Sequence, residues 1–329
     1  MSFKESKPVK TTDEHLALLK SRGLVIPDDE EIEAKNTLRR IGYFRLSGYF
    51  RPFQNTKDSF IEGTTLKEIM RLYDFDLKLR NLTYSVIKSI EIQLRSRLTD
   101  VMSGAYDSDW YTQENLFILN LIKKETIQEP YIDNDKILFK EKTISIRKYD
   151  ILRREINKGL SKNEDKEFVV EFRRKHGSAS LPSWMMMECI SFGALSRLFS
   201  LLNDSAEKKA VSKHFGIIMP DVFTSHLHGF VILRNACAHH ARIWNKKITN
   251  DLKFPKKSSA KFLNETKMDE LRKFYGVSAC LLHALKSTRP DQASYYKTEF
   301  YRLVEEHKIT LTAMGFPETL EECDIWRRV

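Results

Sequence analysis

Three residues near position 235 carry the groups that a metal-independent cleavage of a phosphodiester requires. Arg234 offers a guanidinium, which holds and neutralises phosphate oxygens in pairs. His239 offers an imidazole, which takes or gives a proton near neutral pH. Asn235 offers an amide that can orient the imidazole or hold a phosphate oxygen. Together they suit RNA cleavage in which the 2′-hydroxyl attacks the adjacent phosphate. This chemistry needs no metal ion and no other cofactor.

A helix must position these groups, and we predict that it begins at Pro220 with Asp221 as its N-cap. If that helix continues past residue 242, Asn235, His239 and Arg242 lie at i, i+4 and i+7. The three side chains would then form one polar stripe, so we include Arg242 as a supporting residue.

The adjacent His240 falls on a different and mostly apolar stripe with Leu233 and Trp244. We therefore interpret His240 as a histidine that is hydrogen-bonded within the core, while a supporting role at the site stays open. Only one imidazole then remains on the polar stripe. A second copy of the chain would supply the other proton-transfer group, so we expect a homodimer.

The spacing of Arg234 and His239 is not specific by itself, because Arg302 and His307 repeat it. The second pair lacks an asparagine after the arginine, and two glutamates precede His307. We interpret it as a solvated helix face.

Composition bounds the fold and the partner. The chain has 329 residues, of which 41% are hydrophobic and 30% are charged, enough for a substantial core and a polar surface. Only 12 glycines and 9 prolines are present, which favours helices over a turn-rich β fold. The net charge of +10 indicates a polyanionic partner, most simply a nucleic acid, although a generally basic surface is the alternative.

The cysteines indicate a reducing compartment, and the hydropathy pattern indicates a protein that does not span a membrane. The four cysteines lie far apart, which predicts reduced core residues and neither a disulfide framework nor a metal site. They are Cys189, Cys237, Cys280 and Cys323. No apolar run is long enough to span a bilayer, and no leader peptide opens the chain. We expect a cytoplasmic protein without a membrane partner.

The pattern of caps and apolar residues predicts a nearly all-α chain. A capping box at Thr65 and Glu68 starts a long helix over 66–102, which Gly104 ends. We leave 106–112 as a loop, assign no element to the weakly alternating stretch 132–148, and take 251–259 as a polar linker. Further helices are predicted near 12–22, 28–41, 149–160, 166–175, 181–202, 205–214, 267–286 and 293–306.

Three further segments, together with the Arg-Asn-x-x-x-His motif, carry a resemblance to a known family. They are Ile41–Tyr49, with two glycines and three aromatic rings, Ile90–Arg97 in the long helix, and Leu181–Ser196 in the apolar helix. The chain resembles the Abi-like (abortive infection) proteins of bacteria, which are members of the HEPN superfamily. The similarity runs from about residue 7 to residue 250.

The resemblance implies an α-helical HEPN bundle with N-terminal and C-terminal helical extensions. It also implies RNA cleavage that arrests the host in defence against phage, with Arg234, Asn235 and His239 in the catalytic positions. Some relatives are encoded beside a small structured RNA, which makes such an RNA a plausible partner here. We divide the chain into an N-terminal segment (1–60), a HEPN-like core (61–250) and a C-terminal helical region (251–329).

Two residues outside the motif are candidates for support of the site. Arg95 could contact a phosphate beside the motif helix, or it could form an ordinary helix ion pair with Glu91, four residues earlier. Glu188 could orient His239 or pair with Arg234, or it could be a partly exposed helix residue.

Arginines elsewhere are candidates for RNA contacts, with a solvated surface or core packing as the alternative. The segment 42–53 could stack bases on Tyr43, Phe44 or Tyr49 while its arginines meet phosphates. The predicted RNA-binding residues are Arg45, Arg51, Arg153, Arg154, Arg173 and Arg174.

These observations favour a metal-independent endoribonuclease that acts in antiphage defence. The alternative is a non-catalytic RNA-binding protein that docks a structured small RNA through the same basic helix. A protein-interaction scaffold that retains the motif residues is a third interpretation.

Overall fold

The computed structural model describes residues 9–133, 136–248, 252–254, 268–318 and 325–327. This part of the chain is mostly helical, which confirms the all-α prediction, and it contains two antiparallel hairpins, one short and one long. The helices are α1 (Thr12–Ser21), α2 (Glu31–Ile41), α3 (Tyr43–Ser47), α4 (Leu66–Ala105), α5 (Lys148–Ser161), α6 (Glu167–His176), α7 (Ser183–Cys189), α8 (Phe192–Leu201), α9 (Ala206–His214), α10 (Pro220–Ala238), α11 (Met268–Leu271), α12 (Phe274–Thr288) and α13 (Pro290–Glu306). The strands are β1 (Gln54–Thr56), β2 (Ser59–Phe60), β3 (Ile122–Asp133) and β4 (Lys136–Arg147).

Helix α4 is the centre of the fold. It begins at the predicted capping box, in which Thr65 and Glu68 each bind the other's backbone N–H. It continues one residue past Gly104, and its buried stripe includes Ile69, Ile90 and Leu94, each of which is fully buried. Helices α7, α9, α10, α12 and α13 all pack against it.

Helix α10 packs between α4, α8, α9 and α12. Pro220 occupies its first turn as predicted, but the N-cap is Met219, so the assignment of Asp221 as the cap was wrong. One continuous hydrophobic core runs from Leu16 to Trp326, and α12 and α13 contribute to it. The division of the chain into three regions stays a prediction, and most of the linker 251–259 falls outside the described residues.

The apolar stretch 181–202 forms two helices, although we predicted one. Ile190 adopts an extended conformation, with φ −100° and ψ 153°. Ser191 then caps α8, because its hydroxyl accepts the N–H of Ala194 at 3.2 Å. A serine in this position competes with helix continuation and starts a new helix.

The stretch left without an element forms part of a long hairpin. Strands β3 and β4 pair in antiparallel fashion from Ile122 opposite Arg147 to Asp133 opposite Lys136. Large apolar side chains are exposed along it, including Ile127 and Phe139. Period-two alternation was the correct signal, but the sequence reading did not extend it into a strand pair.

The structure tests the prediction of reduced core cysteines for three of the four residues. Cys189, Cys237 and Cys280 are buried free thiols, and Cys323 lies outside the described residues. Among the helices of the described ranges, none is both long and apolar enough to cross a bilayer.

Candidate active site

Helix α10 ends just before His239, so the motif does not lie on one continuous helix as we predicted. The N–H of His240 donates to the carbonyl of Cys237 at 3.1 Å, and the N–H of Ala241 donates to the carbonyl of Ala236 at 2.8 Å. This pair of hydrogen bonds is a Schellman motif, which satisfies the last carbonyls of a helix and turns the chain away. The motif histidines therefore lie at the helix end, where the backbone changes direction.

The placement of His240 in the core was wrong, because its side chain is exposed. His240 has φ 55°, the left-handed conformation that a Schellman motif requires and that glycine usually supplies. His239 is exposed as well. One copy of the chain thus presents two adjacent imidazoles to solvent, whereas the sequence reading counted only one.

Arg242 leaves the polar stripe on which we placed it with Asn235. Its Nη1 donates to the carbonyl of Gly48, in the aromatic segment near the N-terminus. In the same way, Nη1 of Arg45 donates to the carbonyl of His240 at 2.7 Å. Arg242, predicted as a supporting residue, and Arg45, predicted to bind RNA, thus tie the turn after α10 to the segment 42–53, while Arg45 stays exposed.

The buried carboxylate of Asp76 on α4 binds the backbone of the same turn. Oδ1 of Asp76 accepts the backbone N–H groups of Ile243 at 3.2 Å and of Trp244 at 2.7 Å. Oδ2 accepts the hydroxyl of Tyr49 at 2.6 Å and pairs with the guanidinium of Arg80. Burial raises the pKa of Asp76, and Arg80 and the donated hydrogen bonds oppose that shift. Sequence reasoning missed this network, although Asp76 and Arg80 have the i, i+4 spacing of an ion pair.

Arg234 is partly buried beside α4. Its Nε is 3.8 Å from a carboxylate oxygen of Glu91, and its guanidinium carbon is 5.9 Å from the ring centre of Tyr84. Its Nη1 donates to Oδ1 of Asn235 at 3.2 Å. Asn235 is exposed, and its backbone carbonyl accepts the N–H of His239 at 2.9 Å. The side chains of Arg234 and Asn235 are therefore in contact, and His239 follows one turn after Asn235 at the exposed end of α10.

Glu91 holds two arginines at once. Besides Arg234, it accepts Nη2 of Arg95 at 2.6 Å, and the same Nη2 donates to the carbonyl of Ile190 at 3.0 Å. The interpretation of Arg95 as a helix ion pair is confirmed, and through Glu91 it lies close to the motif arginine. Its contact with a phosphate stays a prediction. Two guanidiniums around one carboxylate leave a net positive charge, and Nη1 of Arg95 has no hydrogen-bond partner in the described part of the chain.

The carboxylate that pairs with Arg234 is Glu91, and not Glu188, for which that pairing was one of the alternatives left open. Glu188 is exposed at the end of α7, and within the described ranges it forms no ion pair with Arg234 or His239. The alternative interpretation of Glu188, an exposed helix residue, is the one that the structure supports.

The aromatic segment divides into core and surface. Tyr49 is buried, and Tyr43 stacks on His15 with ring centres 4.2 Å apart. Phe44 is 91% exposed, next to Arg45, which reaches the turn after α10. Of the three predicted stacking residues, Phe44 is the one whose ring is free to meet a base.

The remaining arginines lie elsewhere on the surface. Arg153 lies 3.5 Å from Glu114, and Arg154 is exposed on the same helix. Arg173 donates to the carbonyl of Ala179 at 2.6 Å, within the turn after α6. Arg174 forms a bidentate ion pair with Glu171. Arg51 donates to the carbonyl of Gln54. Their assignment to RNA binding stays a prediction.

Comparison with known proteins gives the family. Residues 36–245, more than half of the chain, match the family described as Abi-like protein. The chain belongs to the Abi-like protein family. The matched range of this Abi-like protein contains all three motif residues and the whole of α4, and it ends at Asn245, one residue after the last backbone N–H that Asp76 holds. No curated protein and no solved structure shows significant similarity to the chain.

Proposed function

We propose that this Abi-like protein is a metal-independent HEPN endoribonuclease that acts in abortive-infection defence against phage. The observation that carries the proposal is the grouping of Arg234, Asn235 and His239 at the exposed end of α10. An imidazole in contact with solvent and an arginine one turn away are the groups that RNA transesterification needs.

The proposed reaction is an internal displacement. An imidazole of the site takes the proton of a ribose 2′-hydroxyl, and the 2′-oxygen attacks the adjacent phosphorus. The bond to the 5′-oxygen breaks, that oxygen gains a proton, and the products are a 2′,3′-cyclic phosphate and a 5′-hydroxyl. His239 supplies acid or base catalysis, which is typically worth about 10²–10⁴ in rate. Arg234 stabilises the charge on the phosphorane. The Asn235 amide orients the imidazole or holds a phosphate oxygen.

The charge around Arg234 supports a phosphate ligand. Glu91 is shared by two arginines, so the group as a whole is cationic, and hydrogen-bond donors of both Arg95 and Arg234 are without partners in the described part of the protein. These donor atoms are buried, so a phosphate that approaches the site would interact with the net positive charge of the group and with the exposed part of the Arg234 side chain. The exposed ring of Phe44 near the same turn suits the stacking of an unpaired base.

A homodimer remains part of the proposal, on weaker ground than the sequence suggested. We expected a second copy because one chain appeared to offer one imidazole. His239 and His240 are both exposed in a single copy, so acid and base could both come from one chain.

The decisive experiment substitutes His239→Ala and measures cleavage of single-stranded RNA in EDTA. The control is His228→Ala, which removes an exposed histidine of α10 about three turns before His239. We expect His239→Ala to abolish cleavage and toxicity while RNA binding is retained, and His228→Ala to keep all three. Unchanged cleavage in His239→Ala would exclude the nuclease. If Arg234→Ala abolishes RNA binding while His239→Ala has no effect, the protein binds RNA without cleaving it.

A further inference from the structure

A cavity of about 340 Å³ is lined in part by Trp244 and Asn245, in the turn that follows α10. Its walls come from the segment after α3, the first turns of α4, the turn at 244–245 and the segment after α13. The residues that matter are Arg51, Phe53, Arg71, Trp244, Asn245 and Lys308. The volume is at the small end of the range for ligand sites in proteins, which suits one small molecule or one nucleotide.

One part of the wall is cationic, and its cations form no ion pair shorter than 4 Å within the described part of the chain, although Arg71 acts electrostatically on Glu68. In the described part of the chain, no carboxylate lies within 4 Å of Arg71, Lys308 or Arg51. Glu68 is the acidic residue of the wall, and its carboxylate already accepts the N–H of Thr65 at 2.8 Å. That hydrogen bond lowers the pKa of Glu68. Three cations around an opening of this size are suited to a phosphate group.

The rest of the wall is aromatic and amide-bearing. Phe53 is partly exposed and lines the cavity, and an aromatic ring in this position suits the stacking of a base. Trp244 is only 5% exposed, and its indole Nε1 has no hydrogen-bond partner among the described residues. A buried donor without an acceptor destabilises a structure by about 1–3 kcal/mol unless a ligand or water satisfies it. The Asn245 amide adds a donor and an acceptor of the kind that bind the edge of a base.

We infer that this cavity binds a nucleoside monophosphate unit, with the phosphate on Arg51, Arg71 and Lys308 and the base against Phe53 near Trp244. Two sources share this chemistry, a free mononucleotide and the 5′-phosphorylated end of an RNA. The site is separate from the motif histidines, but its wall begins two residues after Arg242.

The test is calorimetric titration of the full chain with AMP, with adenosine and with inorganic phosphate. We expect saturable binding of AMP that is at least about tenfold tighter than binding of either fragment. Arg71→Ala should weaken AMP binding by about tenfold or more, since one charge-assisted phosphate contact is lost. The control is Arg39→Ala, which removes another exposed arginine, on α2, and should leave the affinity unchanged.

Charge reversal and a second ligand complete the design. Arg71→Glu should abolish AMP binding while far-ultraviolet circular dichroism shows that the fold is kept. Absence of AMP binding to the wild type, equal binding of adenosine and AMP, or full affinity in both Arg71 variants would overturn the inference. The second ligand is a tetranucleotide, tested in competition with AMP in a 5′-phosphorylated and a 5′-hydroxyl form. If only the phosphorylated form competes, the ligand is the 5′ end of an RNA. If neither form competes, the ligand is the free nucleotide. His239→Ala should bind AMP normally, so this site and the nuclease proposal stand or fall separately.

Discussion

The carboxylate of Asp76 holds the backbone N–H of Trp244 at 2.7 Å, across 168 positions of the sequence. Asp76 lies in the first half of the central helix, whereas Trp244 lies in the turn that follows the motif helix. Because the carboxylate also accepts the N–H of Ile243, it fixes the direction in which the chain leaves His239 and His240. The buried pair of Asp76 with Arg80 is therefore tied to the geometry of the candidate site.

Asp76→Ala is expected to destabilise the protein strongly. The change leaves the Arg80 guanidinium buried without its charge partner and removes the acceptor of two backbone N–H groups, so we expect a loss of about 3–5 kcal/mol. Urea unfolding measures it, and Asp100→Ala on the exposed face of the same helix is the control. A loss below about 1 kcal/mol would show that the network contributes little.

Phe44→Ala is expected to weaken RNA binding without affecting stability. The ring is 91% exposed, so its removal creates no cavity, whereas the loss of one stacked base costs about 1–3 kcal/mol of binding free energy. Fluorescence anisotropy with single-stranded RNA, in the His239→Ala background to prevent cleavage, measures the change. Ile32→Ala removes an apolar side chain that is 75% exposed on α2 and should bind RNA normally. Equal affinities of the two variants would remove Phe44 from the interface.

His240→Gly is expected to stabilise the fold. His240 has φ 55°, a conformation that is unfavourable for residues with a Cβ atom and that glycine adopts freely. We expect a gain of about 1 kcal/mol in the free energy of unfolding. Asn235→Gly, inside the helix, should have the opposite effect of similar size. A destabilised His240→Gly protein would mean that the imidazole makes a contact worth more than the relief of strain.

Stability is expected to fall in acid because of His226. Burial lowers the pKa of this histidine to about 4 from the ordinary 6.5, although its Nε2 donates to the carbonyl of Lys253 at 2.9 Å. The unfolded chain binds the proton more tightly, so the stability contributed by neutral His226 is complete above pH 6.5 and is lost as the pH falls towards 4. Between pH 7 and pH 5 the loss is about 2 kcal/mol. His226→Gln should show a smaller drop in urea unfolding over the same range, and equal slopes would contradict the assignment.

The sequence predicted those parts of the structure that depend on local patterns. The capping box at Thr65 and the apolar periodicity of α4 gave the long helix, because both signals lie within a few turns of the chain. The end of α10 was not predictable in this way, since His240 in a left-handed conformation stands where glycine is expected. The anchoring of that turn by Asp76 depends on tertiary contact across the fold, which spacing alone does not reveal.

The site residues show the same division. The grouping of Arg234, Asn235 and His239 followed from their closeness in sequence, whereas the choice between Glu91 and Glu188 required the packing of α4 against α10. Glu91 was visible only as the partner of Arg95. The signal that could have identified it is its place on the longest amphipathic helix, one turn before an arginine, in a segment shared with the family.

The unbroken length of α4 has a mechanical consequence. Asp76 fixes the turn after the motif, and Glu91 fixes the motif arginine, and the two lie on one rigid rod about 22 Å apart along its axis. Any displacement of this rod, whatever its origin, would move the two attachment points in concert. A ligand or partner that displaced α4 at either end could therefore change the activity of the protein without contacting the phosphate that Arg234 is proposed to bind.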